Sequence, residues 1–155
     1  SRMQRANINA IINSVLLLLT QQLKKSEITI ERTFEGLIPD FELDIERIKQ
    51  ALINIIINSI QFMPSGGKLF LETKHLKHKN RNSVLIKITD TGEGFDKNEL
   101  DKIFDPFYSG RPEGTGLGLA ITHSIIAEHN GTITAENSKK HGAEFKIIIP
   151  IDRKI

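Results

Sequence analysis

Apolar residues recur at three- and four-residue steps through Ile8, Ile11, Ile12, Val15, Leu16, Leu19 and Leu23, a spacing that predicts an opening helix with a wide apolar face. Alternation through Ile28, Ile30, Arg32 and Phe34 with polar residues between predicts a strand, after which Gly36 and Pro39 punctuate a loop. Asp44 is placed to cap a second helix carrying Ile45, Ile48, Leu52, Ile55, Ile56 and Phe62. That helix must stop near Pro64 and the Gly66-Gly67 pair, and Asn54 and Asn58 stand one turn apart on it. Two β-rich segments, residues 68–75 and 83–89, read as an antiparallel hairpin. Residues 91–115 hold many glycines and prolines and few periodic apolar positions, so most of this stretch is expected to be a lid, mobile when empty, with Phe104 and Phe107 anchoring its base. Helical spacing returns over residues 117–128, and residues 131–137 and 144–149 read as two closing strands around a turn at Gly142.

At 155 residues the chain is expected to form a single domain over its whole length, and 39% hydrophobic with 26% charged residues is ordinary globular composition. A net charge of +2 gives no footing for nucleic-acid binding; the local basic run of Lys74, Lys77, Lys79 and Arg81, with His75 and His78, reads as a solvated turn. Without cysteine the chain has no disulfide, thiolate metal site or cysteine nucleophile, and a cytoplasmic location is the default expectation. The longest apolar run, Val15 to Leu19, is far short of the roughly 20 residues a membrane span needs, so no direct membrane insertion is expected. The start does not look like a signal peptide, and the natural protein is expected to begin further upstream.

Three blocks carry candidate chemistry. Asp90 stands at a strand end before Gly92 and Gly94, where glycines let backbone approach a flat ring and a fixed carboxylate can accept an exocyclic amine proton; an Asp-Thr-Gly β-turn is the plainer reading. Gly114, Thr115, Gly116, Leu117, Gly118 and Leu119 open a helix, so unpaired backbone N–H groups and the positive end of the helix dipole would face a bound phosphate. This is not a Walker loop, because no Lys followed by Ser or Thr comes after the last glycine. Asn58 offers one neutral oxygen, which can suffice for nucleotide-bound magnesium, although an Asn in an apolar helix can also bond a neighbouring backbone group. In this order the three blocks predict a site for ATP and Mg2+.

The blocks resemble those of the GHKL (Bergerat) ATP-binding fold, specifically the catalytic and ATP-binding domain of bacterial sensor histidine kinases, over nearly the whole chain. Asn54 to Asn58 resembles the N box, Asp90 to Gly94 the G1 box, Phe104 to Phe107 the F box and Gly114 to Gly118 the G2 box. The resemblance implies a two-layer α/β sandwich with a mixed sheet covered by about three helices and a mobile ATP lid. It implies that Asp90 contacts the adenine amine, Asn58 ligates magnesium, the backbone from Gly114 to Gly118 wraps the phosphates, and Arg111 reaches the terminal phosphates or, alternatively, is a solvated loop charge. Gln61, where many sensor kinases carry Lys, looks like the nitrogen-sensor subgroup. Ala143 stands where the family commonly has Thr or Ser supporting the adenine contact; losing one neutral hydrogen bond costs about 0.5–1.5 kcal/mol.

Hydrolytic clamps of this fold place Glu four residues before the magnesium Asn, whereas this chain has Asn54, and an amide cannot take up a proton near neutral pH. A neutral imidazole already presents a lone pair, so Asn54 favours phosphoryl transfer to histidine over an ATPase switch or a noncatalytic nucleotide-binding module. None of His75, His78, His123, His129 and His141 has the surroundings of the family's phosphoacceptor. The expected partners are therefore the kinase's own dimerisation and phosphoacceptor domain and, through the full-length kinase, a response regulator.

Overall fold

The computed structural model describes residues 2–106, 108, 118–139 and 142–152. Its elements in chain order are β1 (Gln4–Ala6), α1 (Ile8–Leu18), α2 (Thr20–Lys25), β2 (Ile28–Phe34), β3 (Phe41–Leu43), α3 (Ile45–Phe62), β4 (Gly67–His78), β5 (Arg81–Asp90), α4 (Gly118–Glu128), β6 (Thr132–Asn137) and β7 (Ala143–Pro150). Five strands form a mixed sheet in the order β2-β4-β5-β7-β6, with β2 parallel to β4 and the other pairings antiparallel. Helices lie against one face of this sheet, as the resemblance implied. Among the described residues no helix is long and apolar enough to cross a membrane.

Period-two alternation decides which side chains enter the core. Val84, Ile86 and Ile88 of β5 and Phe145, Ile147 and Ile149 of β7 are all buried, and the residues between them are half-buried on the opposite face. Against them α3 sets Ile48, Leu52, Ile55, Ile56 and Phe62, and α4 sets Ile125 and Ile126. Asp44 caps α3 as expected, accepting from the Arg47 amide at 3.2 Å. The Arg47–Glu128 ion pair at 2.7 Å links α3 to α4, and the buried His129 ring accepts from the Asp44 amide at 3.0 Å.

The structure departs from the sequence reading in four places. The single opening helix is two: Thr20 turns its hydroxyl back onto the Leu16 and Leu17 carbonyls, and the chain bends at Leu19 between α1 and α2. The short strands β1 and β3 pair antiparallel, an arm too brief to leave a periodic signal. The basic run is mostly strand rather than turn; the reversal needs only Lys79 and Asn80, both at positive φ, as two-residue hairpins prefer. Residues 92–106 do not lack apolar contacts as expected of a lid. Successive turns from Asp96 to Asp105 bury Ile103 and pack Leu100 and Phe104 on the core, while Phe95 is buried between Phe62 and Phe145, 4.9 and 5.9 Å away edge-on. The remainder of the expected lid, including Phe107, Arg111 and the block from Gly114 to Leu117, lies outside the described residues.

Phe145 joins these layers, since its fully buried ring meets both Phe95 and Phe104. Phe145→Ala is expected to cost about 3–5 kcal/mol in urea unfolding. Leu18→Ala, at a side chain 69% exposed, should change stability by no more than about 0.5 kcal/mol in the same measurement.

Candidate functional site

Asp90 is the next core-facing position of β5 after Val84, Ile86 and Ile88, so the strand's own alternation carries its carboxyl into the layer between sheet and helices. It is 0% exposed. Oδ1 accepts from the Gly92 amide at 2.9 Å and from the Ala143 amide at 3.1 Å, whereas Oδ2 is buried with no hydrogen-bond partner. Burial pushes the carboxyl above the usual carboxylate range; the two amide donors, and to a smaller degree the nearby Ser59 hydroxyl, pull the other way. Ser59 itself makes no hydrogen bond of ordinary geometry.

Two glycines make this arrangement possible by absence of a side chain. A Cβ on Gly142 would fall 1.7 Å from the Asp90 carbonyl oxygen, and one on Gly92 would fall 2.3 Å from the Phe62 carbonyl oxygen. The end of α3 and the start of β7 can therefore close on the strand end from both sides. Phe95 is fixed beside them, because Asn137 grips its backbone at both ends, accepting from the amide and donating to the carbonyl, each at 2.8 Å. A pocket of about 600 Å³ opens against Phe62, Gly94, Phe95 and Tyr108, with Glu93, Asp96 and Glu99 around it.

The α3 candidates divide by face. Asn54 donates from Nδ2 to the Gly118 carbonyl at 3.1 Å and so ties α3 to the first turn of α4. Asn58, one turn on, keeps a buried Oδ1 without a partner. Gln61 is exposed. Gly118 starts α4 half-buried, and Leu119 is buried in the core. Phe104 packs against Phe145 and His123. The structure thus brings Asp90, Gly92 and Ala143 together around one carboxylate and joins Asn54 to Gly118; Phe107, Arg111, Gly114, Thr115, Gly116 and Leu117 are outside the described residues.

Sequence reasoning missed Ser59, Phe95, Asn137 and the close approach of Gly142. Ser59 carried a signal, because it continues the buried α3 ladder of Ile48, Leu52 and Ile55 toward Phe62 at a position where an apolar residue is expected. Asn137 carried none, since its partner is 42 residues away.

The model of the family described as histidine kinase-, DNA gyrase B-, and HSP90-like ATPase matches residues 43–153. The sensor histidine kinase ZraS of Escherichia coli strain K12 is 32% identical over 150 residues, covering 97% of this chain and 31% of that protein. Sporulation kinase B of Bacillus subtilis strain 168 is 34% identical over 149 residues, covering 94% of this chain and 33% of that protein. The chain therefore spans about a third of the length of these curated relatives. The nucleotide-free catalytic domain of histidine kinase ThkA superposes with a TM-score of 0.86 at 30% identity, covering 97% of this chain and 99% of that one. Histidine kinase ThkA in complex with the response regulator protein TrrA superposes at 0.82 with 28% identity, covering 97% of this chain and 42% of that one.

A buried carboxyl raised above its unfolded value contributes stability that is complete below the unfolded value and is lost as pH rises through the folded one. At neutral pH the ionised Asp90 is therefore a cost to the empty protein. Asp90→Asn keeps an oxygen for the Gly92 and Ala143 amides but cannot ionise. It should melt higher than the parent chain at pH 7 without nucleotide, and the gap should close on acidification toward about pH 4. A variant that melts lower at pH 7 would contradict this account.

Proposed function

The chain belongs to the histidine kinase-, DNA gyrase B- and HSP90-like ATPase family, and on that premise we propose that it binds ATP with magnesium and delivers the γ-phosphoryl group to a histidine on a separate dimerisation domain. The single observation that carries the nucleotide reading is the division of labour on Asp90. One carboxylate oxygen is held by two backbone amides, and the other is buried with no donor of its own. An acceptor left this way matches the exocyclic amine of adenine; guanine would oppose it with a carbonyl and leave two acceptors unpaired.

Asn58 fits a magnesium ligand by the same reasoning, because its Oδ1 is a buried oxygen lacking a protein donor and nucleotide-bound magnesium takes only one or two protein oxygens. The ion, when bound, offsets charge on the phosphates.

The chemistry asked of the protein is positioning. The acceptor imidazole attacks the γ-phosphorus with its own lone pair, a phosphorus–nitrogen bond forms, the bond to the β-phosphate oxygen breaks, and ADP leaves. The attacking nitrogen carries no proton, and the N–H of the other ring nitrogen can be lost to solvent after transfer, so the attack needs no carboxylate base on α3. Asn54, whose amide nitrogen is committed to the Gly118 carbonyl, instead keeps the start of α4 against α3. We assign phosphate contacts to Arg111 and to the backbone from Gly114 through Gly118, and the phosphorylated kinase would pass the group to a response regulator, as the ThkA complex suggests by likeness.

Mixing the chain with the dimerisation domain of its own kinase and γ-labelled ATP should place label on a histidine in a magnesium-dependent manner. Tight ATP binding without any transfer would leave a nucleotide-binding module and sink the kinase reading. In calorimetry Asp90→Asn should lose at least about tenfold in ATP affinity, the worth of a hydrogen bond to a charged group. Asn58→Ala should weaken binding with magnesium more than binding in EDTA; an equal loss in both would make Asn58 a structural residue.

A further inference from the structure

Ser59 is a hydroxyl on the buried face of α3, where the ladder of Ile48, Leu52 and Ile55 leads one to expect an apolar residue. Helical Ser and Thr ordinarily return their hydroxyl to the carbonyl one turn back. Thr20 and Thr122 do so here, to Leu16 at 3.3 Å and to Gly118 at 2.9 Å. Ser59 does not: its Oγ is fully buried and makes no hydrogen bond, on the core face of α3 between Ile55 and Phe62. Buried polar atoms are rarely left so, and each exception calls for a ligand or a water.

The second orphan is its neighbour. Among the described residues Asp90 Oδ2 is, with Asn58 Oδ1, one of two buried acceptors without a partner, and the Ser59 hydroxyl stands close enough to the Asp90 carboxylate to favour its ionised form beside the Gly92 and Ala143 amides. The carboxylate oxygen and the hydroxyl therefore adjoin at one end of the layer between β5 and α3, with no hydrogen bond of ordinary geometry spent on either. The edge of adenine presents the matching pair side by side: an amine that donates and, on the adjoining ring atom, a nitrogen N1 that accepts. The hydroxyl that the resemblance leads one to seek at Ala143 is absent from β7, where residue 143 contributes only its amide to Asp90 Oδ1.

We propose that Ser59 is a specificity-determining residue for adenine, its hydroxyl donating to ring N1, directly or through one buried water, while Asp90 Oδ2 accepts from the exocyclic amine. The proposal rests on the ATP reading given above. It assigns the second point of purine recognition to α3 rather than to residue 143 at the start of β7. Inosine nucleotides place a carbonyl opposite Asp90 Oδ2 and would be rejected there, while the Ser59 hydroxyl can turn to accept from their N1–H.

A chemical cycle tests it with the chain itself, by calorimetry on ATP and on 1-deaza-ATP, in which N1 is replaced by a carbon–hydrogen group and the amine is kept. Ser59→Ala should weaken ATP binding about fivefold, the worth of one neutral hydrogen bond. On 1-deaza-ATP the variant and the parent chain should agree within about twofold, because the contact is already gone. An unchanged ATP affinity in Ser59→Ala, or an equal loss for both nucleotides, would overturn the assignment to N1. Failure of the parent chain to bind ATP at all would instead overturn the ATP reading, so the two failures are distinguishable. Ser59→Ala removes one buried unpaired oxygen and should melt no lower than the parent, which separates lost recognition from lost folding.

Discussion

Burying one carboxylate without a countercharge is the constraint around which this molecule is arranged. Asp90 lies at the end of β5 in line with the core residues of that strand, and nothing cationic among the described residues is paired with it. Such a group survives only if dipoles hold it, and two backbone amides from different elements do. Those amides reach Oδ1 only because Gly92 and Gly142 lack side chains, and the same glycines let the end of α3 and the start of β7 close on the strand end. The end of α3, the start of β7 and the two glycines thus meet around one satisfied polar atom.

What is left unsatisfied is equally informative. Asp90 Oδ2, Ser59 Oγ and Asn58 Oδ1 are buried without partners, and two of them sit side by side on α3. Other buried polar side chains, such as Thr73 and His129, find partners, so this grouping is what the proposed nucleotide site rests on. On the proposed role of Asp90, adenine recognition and folding stability would pull in opposite directions, because the burial that would make its second oxygen selective is the burial that makes its charge expensive.

Around this centre the aromatic residues serve as mechanical connectors. Phe145 lies in the sheet, Phe62 at the end of α3, and Phe95 and Phe104 in the segment after β5; edge-to-face contacts from 4.9 to 6.4 Å join them. Asn137 on the edge strand β6 clamps the Phe95 backbone, so the segment following the nucleotide candidate is tied to the far side of the sheet. Any displacement of that segment must break a bidentate amide pair as well as ring contacts.

The sequence alone determined the periodic elements, the Asp44 cap, the hairpin and the order of the motif blocks, because each rests on residues within a turn or a strand of one another. It also marked Asp90, Asn58 and Asn54 as chemically interesting. Tertiary structure decided how each is used: that Asn54 is committed to Gly118, that one oxygen of Asp90 is spent on Gly92 and Ala143, and that Ser59 is left over. The break after Leu18, the β1–β3 arm and the anchoring of residues 92–106 were likewise out of reach. Periodicity reports which face of an element is apolar, but whether a buried polar atom has a partner depends on groups brought from 42, 53 or 64 residues away, and only the assembled layers hold that information.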